Sequence, residues 1–165
     1  MRLIIQRVSK ASVIINSKIV GEIQQGFLVL VGIENADGTD DANWLVQKLI
    51  GLRVFSDDEG KMNLSIKDVL GNILVVSQFT LFASTVKGNR PSFIKSAKPD
   101  FAIPLYEYFV SKLKAESGLD IQTGVFGADM QINLVNDGPV TLVIDSRDEL
   151  NGGNDSAAVD ADSSA

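Results

Sequence analysis

Short, β-branched apolar runs separated by polar residues dominate the first part of the chain, the pattern of successive strands. Leu3–Val8, Ser12–Ile15 and Ile19–Gln24 read as strands, with Asn16-Ser17-Lys18 as the turn of a hairpin. The run Gly26 to Ile33 is apolar almost throughout, as in a strand buried on both faces. Ile73–Ser77 continues toward Phe82 in the same style. Ile121–Thr123, Met130–Val135 and Val140–Asp145 complete the strand set.

Two segments change period. After Thr39-Asp40-Asp41, an N-terminal helix signal, Ala42, Leu45, Val46, Leu49 and Leu52 recur at helical spacing. A second helix is expected over about Phe101–Ser117, with Pro104 in its first turn and Gly118 as its stop. Leu105, Tyr108, Phe109 and Leu113 form its apolar stripe. Strands interrupted by two helices predict an α+β fold, with a curved, mostly antiparallel sheet or barrel-like body.

Charge divides the chain of 165 residues into a body and a tail. Its 21 acids exceed its 15 bases, but Asp148, Glu149, Asp155, Asp160 and Asp162 stand together at the end with no base among them. Residues 148–165 have almost nothing to bury and are expected to be an acidic, disordered tail. Residues 1–147 then form one near-neutral domain. The body is itself polarised. Lys87, Arg90, Lys95, Lys98, Lys112 and Lys114 face only Asp100 and Glu107 over that stretch, which suits either a solvated face or a polyanion partner.

The absences narrow the chemistry. Without Cys there is no disulfide, thiol nucleophile or thiolate metal site. Without His there is no Ser-His-Asp triad and no side chain with an ordinary pKa near 7. Any catalysis must use carboxylates, lysines, hydroxyls, backbone amides or the substrate itself, and no cofactor is called for. No run of about 20 apolar residues marks a membrane span. The start lacks a signal-peptide pattern, so a cytoplasmic protein is expected.

Three segments could carry a site. Ser77-Gln78-Phe79-Thr80 sits where a buried strand leaves the core, so hydroxyls and free amide N–H groups there could stabilise an oxyanion; an outward-facing edge strand is the plainer reading. Asn136-Asp137-Gly138-Pro139-Val140-Thr141 reads by propensity as a β-turn between strands, and Gly138 would let a backbone or ligand approach. Lys87-Gly88-Asn89-Arg90 is a basic loop able to meet phosphate. Asp57-Asp58-Glu59-Gly60 lacks the alternating ligands of a calcium loop and reads as an exposed turn. Trp44 and the Phe residues read as core.

Together these motifs resemble the D-aminoacyl-tRNA deacylase family, also described as D-tyrosyl-tRNA deacylases. The family's Ser-Gln-Phe-Thr signature is Ser77 to Thr80, and its Asn-x-Gly-Pro-x-Thr signature is Asn136 to Thr141. The segments Gln6-Arg7-Val8, Lys87 to Phe93 and Phe126-Gly127-Ala128-Asp129-Met130 are also similar, and the likeness spans about residues 1–147 in order.

The resemblance implies a homodimer with sites at the subunit interface and aminoacyl-tRNA as the other partner. It implies hydrolysis of the ester joining a D-amino acid to the 3′-terminal adenosine of tRNA, with Gly-tRNA also consumed. Gly138-Pro139 would be a cis peptide entering the partner's site, where its carbonyls exclude an L side chain. Arg7, Asn136 and Thr141 belong with that gate. Phe126, Gly127, Ala128 and Met130 would line the adenosine pocket, and Lys87 and Arg90 would meet the tRNA backbone. The Phe79 and Thr80 amides would hold the oxyanion, while the tRNA's own 2′-hydroxyl activates water. A Thr80 nucleophile is the alternative. Val86 and Val125 depart from the polar residues expected in many relatives, which points to a weaker grip on tRNA. Competing readings are a non-catalytic RNA-end binding module, a purely structural dimer with an ordinary trans turn at Pro139, and a deacylase acting on L-amino acids.

Overall fold

A computed structural model describes residues 1–147; the acidic tail expected at 148–165 lies outside the described residues. The strand β1 (Arg2–Ile15) organises the main sheet. One of its edges pairs antiparallel with β3 (Gly26–Gly32) and then with β2 (Lys18–Ile23). The other edge pairs along nearly its whole length with β8 (Gln131–Asp145). Beyond β3 follow β6 (Asn72–Ser77) and β7 (Ile121–Thr123). The sheet curls until β2 meets β7: a Cβ at Gly21 would stand 2.9 Å from the Thr123 carbonyl oxygen. The body is a nearly closed barrel.

The sheet is mixed, which corrects the mostly antiparallel expectation. The pairs β3–β6 and β6–β7 are parallel. The reason is the position of the helices. α1 (Thr39–Gly51) lies between β3 and β6, and α2 (Pro99–Ser117) between β6 and β7. A helical crossover returns the chain to the end of the sheet where the previous strand began, so the next strand runs the same way. A separate antiparallel hairpin, β4 (Arg53–Ser56) with β5 (Met62–Ser65), carries the Asp57–Gly60 turn at its tip. Asp57 accepts from the Glu59 and Lys61 amides there, which confirms an ordinary exposed turn.

The continuous apolar run in β3 has two cores to fill. Phe27, Val29 and Val31 face the helices, while Leu28 and Leu30 face the barrel interior. β6 repeats the alternation, with Ile73 and Val75 on the helix side and Leu74 and Val76 inside. A strand buried on both faces loses its polar alternation.

Both helices are present, with adjusted faces. α1 buries Ala42, Leu45, Val46, Leu49 and Ile50; Leu52 lies just past its end. α2 begins at Pro99, so Pro104 falls in its second turn and not its first. Its buried stripe is Ala102, Leu105, Tyr106, Phe109, Val110 and Leu113, with Tyr106 in the place expected for Tyr108. Tyr108 is half-buried, and its hydroxyl donates to Asn43 Oδ1 at 2.8 Å. Gly118 ends α2 at φ +67°, the left-handed stop that glycine adopts cheaply. No helix among the described residues is long and apolar enough to cross a membrane.

An ionic cluster joins the end of β8 to the start of α1. The Ser146 hydroxyl donates to Asp41 Oδ1 at 2.6 Å, and the Gly38 amide donates to Asp41 Oδ2 at 2.8 Å. Burial pushes the Asp41 carboxyl up. The Ser146 and Gly38 hydrogen bonds, the Met1 ammonium and Arg147 together hold it below its ordinary 3.8. A depressed carboxylate adds stability above its unfolded pKa and loses it as pH falls through the folded value. Asp41→Asn should therefore lower stability at neutral pH by about 1–3 kcal/mol. Its deficit against the parent should shrink at pH well below 3.8. Urea unfolding of both proteins at each pH checks this, and an equal deficit at both refutes it.

Candidate active site

β6 delivers Ser77 to a cavity of about 590 Å3, within the size range of small-molecule sites. Past Ser77 the Gln78 amide donates to the Val31 carbonyl at 2.8 Å, and the chain enters a single 3-10 turn, Phe79–Phe82. The opening amides of such a turn have no partner inside it. No acceptor is found for the Phe79 or Thr80 N–H among the described residues. Ser77, Gln78 and Phe79 line the cavity. Thr80 is exposed beside it, and its hydroxyl accepts from the Gln78 side-chain amide. No carboxylate or lysine among the described residues bonds to Thr80.

Phe126 to Met130 line the same cavity, so two motifs far apart in sequence share one site. The helix core positions Phe126. Its ring meets Tyr106 edge-on at 5.7 Å, and the Tyr106 hydroxyl donates to the Val75 carbonyl at 3.1 Å. Burial pushes the Tyr106 pKa up to about 12, so the phenol stays a neutral donor. Phe79 meets Phe93 edge-on at 5.1 Å, and Ser96 Oγ donates to the Phe79 carbonyl at 2.8 Å. These contacts fasten the 3-10 turn to the segment before α2. Phe79, Phe93 and Phe101 are partly exposed, which corrects the all-core expectation for the Phe residues; Phe27, Phe55, Phe82 and Phe109 are core.

Asn136 to Thr141 does not reverse the chain. It is an excursion within one strand: Gln6 pairs with Thr141 and Val8 with Asn136, so four residues stand opposite the single residue Arg7. The Gly138–Pro139 peptide is cis, and Gly138 has φ +126°, a region that favours glycine. Arg7, almost fully buried, donates to the carbonyls of Asp137 and Val54. Asn136 Nδ2 donates to Thr141 Oγ1 at 3.0 Å, and the Val140 amide donates to Asn136 Oδ1 at 3.1 Å. Arg7, Asn136 and Thr141 thus brace an excursion whose tip, Asp137-Gly138-Pro139, is exposed. None of these residues lines the cavity of its own chain.

Lys87 and Arg90 lie on an exposed loop closed by paired Ser84 and Ser92 backbone hydrogen bonds. Val86 is 91% exposed on the same loop, and Val125 is half-exposed beside the Phe126 segment. Sequence reasoning missed Phe93, Ser96 and Lys98 as cavity residues and gave the charge of Asp129 no role. Asp129 stood inside a motif already singled out, and Lys98 inside the basic stretch. Ser96 carried no local signal, because an isolated bridge to Glu34 on the far side of α1 brings it in.

Residues 4–145 match the sequence profile of the family described as D-Tyr-tRNA(Tyr) deacylase. The chain belongs to this deacylase family. It is 60% identical over 149 residues to a D-aminoacyl-tRNA deacylase of Flavobacterium psychrophilum, covering 90% of this chain and 99% of that protein. It is 62% identical over 147 residues to a D-aminoacyl-tRNA deacylase of Flavobacterium johnsoniae, covering 89% and 98%. Among solved structures it is similar to that of a c-Myc DNA unwinding element binding protein, with TM-score 0.82 and 38% identity over 88% of this chain and 98% of that one. A probable eukaryotic D-amino acid tRNA deacylase shares the fold, at TM-score 0.75 and 18% identity over 87% and 97%.

Within this deacylase fold, a side chain at position 138 has nowhere to go. Its Cβ would stand 2.7 Å from Arg7 Nη2 and 3.0 Å from Val140 Cγ2. Arg7 cannot swing aside without breaking its two carbonyl contacts. Gly138→Ala should cost about 1–3 kcal/mol through clash and positive φ together. Combined with Arg7→Ala its effect should be less than additive, because the guanidinium it strikes is gone. Thermal unfolding of the two single variants and the double variant tests this; strict additivity contradicts the contact.

Proposed function

We propose that this chain hydrolyses the ester between a D-amino acid and the 3′-terminal adenosine of tRNA, releasing the D-amino acid and a free tRNA 3′ end. One observation carries the reading: in a chain of the deacylase family, Ser77 to Phe79 and Phe126 to Met130 converge on one cavity. The catalytic unit is residues 1–147. Phe126, Gly127, Ala128 and Met130 take the adenosine, and the Phe79 and Thr80 amides receive the oxyanion of the tetrahedral intermediate. Such a donor contributes about 2.7–4 kcal/mol in other enzymes.

Water is the nucleophile, and the tRNA's 2′-hydroxyl activates it. This reading fits a Thr80 hydroxyl that already accepts a hydrogen bond and has no base in contact among the described residues. The chiral gate is Gly138-Pro139 of a second copy of the chain. Support comes from a braced tip that is exposed and removed from its own cavity, and from the exposed apolar side chains Leu134, Val135 and Val143 along the same strand. Backbone carbonyls at the gate would crowd an L side chain and leave room for D-amino acids and glycine. Lys87 and Arg90 contact the tRNA backbone. The acids of residues 148–165 repel it over a Debye length of about 8 Å at physiological salt. The cytoplasm, where aminoacyl-tRNA is made and used, is the working compartment.

Matched D-Tyr-tRNA, L-Tyr-tRNA and Gly-tRNA test the proposal. The purified protein should consume the first and third well above spontaneous hydrolysis and spare the second. Loss of L-Tyr-tRNA as well would keep the hydrolase and reject the gate. Retention of all three esters on bound tRNA would support a nucleic-acid-end binder, a reading favoured by the 38% identity to a DNA unwinding element binding protein. Thr80→Ala should keep kcat/KM within about tenfold, because only a nucleophile's loss would exceed what a lost hydrogen bond costs. A 2′-deoxy terminal adenosine should abolish turnover.

A further inference from the structure

We propose that Lys98 binds the phosphate on the 5′ side of the terminal adenosine, so that the site reads a nucleotide and not merely a nucleoside. The inference rests on the deacylase reading above and adds a residue and a substrate group to it. Among the described residues, the cavity lining is apolar, amide or hydroxyl except at Lys98 and Asp129. The two are unpaired, with no ion pair to either among the described residues. They also come from separate segments. Asp129 belongs to the Phe126–Met130 stretch, and Lys98 directly precedes α2.

The chemistry of the substrate decides what an unpaired ammonium meets there. The ester, the ribose and the adenine are neutral, and the α-amino group is cationic. The only anion within one nucleotide of the reacting bond is the 5′ phosphodiester. A strongly hydrated lysine ammonium is a phosphate ligand that acts as a point charge.

The backbone at Lys98 is well held. Its carbonyl accepts from the Phe101 and Ala102 amides at 3.0 and 2.8 Å, and the Ala97 amide donates to the Ile33 carbonyl at 2.9 Å. A fixed Cα leaves the flexible stem to place the charge. Upstream, Lys95, Arg90 and Lys87 follow on the same stretch, which carries no acid from Thr85 to Pro99. Successive phosphates of a single-stranded 3′ end would therefore leave the cavity along a run of cations.

The experiment uses the full chain and two small substrates, 3′-O-(D-tyrosyl)-adenosine and its 5′-monophosphate. The parent should favour the phosphorylated ester in kcat/KM by about fivefold or more at low salt, through KM, as expected for a charge-assisted contact. Lys98→Ala should bring the ratio to about one, Lys98→Arg should preserve it, and added salt should erode it in the parent. The ratio cancels any general loss of folding or turnover, because both esters react in the same site. Lys112→Ala, on α2 and outside the cavity lining, should leave the ratio intact. Equal use of both esters by the parent, or a ratio that survives Lys98→Ala, overturns the proposal while the deacylase stands. Hydrolysis of neither ester, nor of D-Tyr-tRNA, overturns the deacylase reading and this inference with it.

Discussion

Everything in this fold hangs on the two edges of β1. One edge carries β8 almost end to end, and the other carries β3 and then β2. A strand of 14 residues with partners on both sides has little backbone left unpaired, so it fixes the register of its neighbours. The register then determines what has to bulge. Because Gln6 and Val8 hold Thr141 and Asn136, the four residues between must leave the sheet, and they do so opposite Arg7. The excursion is a product of ladder geometry, braced afterwards by side chains.

The cavity has a different origin. It forms where the parallel part of the sheet ends, at Val31 of β3 and Ser77 of β6. The crossover helices that make those strands parallel also bring the segment before α2 and the turn after β7 to the same place. The groups proposed for catalysis and chiral selection are mostly backbone: free amides at a tight turn, carbonyls at an excursion. Backbone groups need no particular pKa, which reconciles a hydrolase with a chain that has neither His nor Cys. Their positions depend on packing, as the contacts from Val75 through Tyr106 to Phe126 show.

The excursion and the cavity of one chain stand apart, and the excursion's tip is exposed. A gate that acts on a site must reach it, so the proposed chirality check requires a second copy, whereas the proposed nucleotide contact at Lys98 requires only one. In these proposals the two features answer to separate physical demands, shape at the amino acid and charge at the nucleotide.

Local features were legible in the order of residues alone. The β-branched runs, the helical spacing of Ala42 to Leu49 and the glycine stop at Gly118 are set by neighbours a few residues away, and they hold in the structure. Ordered motifs also sufficed to identify the family. Long-range packing settled the remainder. The parallel pairing of β3, β6 and β7 depends on where crossovers return, which no local pattern encodes. Asn136 to Thr141 carries turn residues, and only the ladder with β1 shows that the strand runs on through it. Tyr106 and not Tyr108 faces the core because the rotation of α2 is set by what it packs against, β6 and α1, and not by its own sequence. Ser96 reaches the cavity through a bridge to Glu34, a segment distant in sequence, and such a contact leaves no mark on the residues that flank it in the chain.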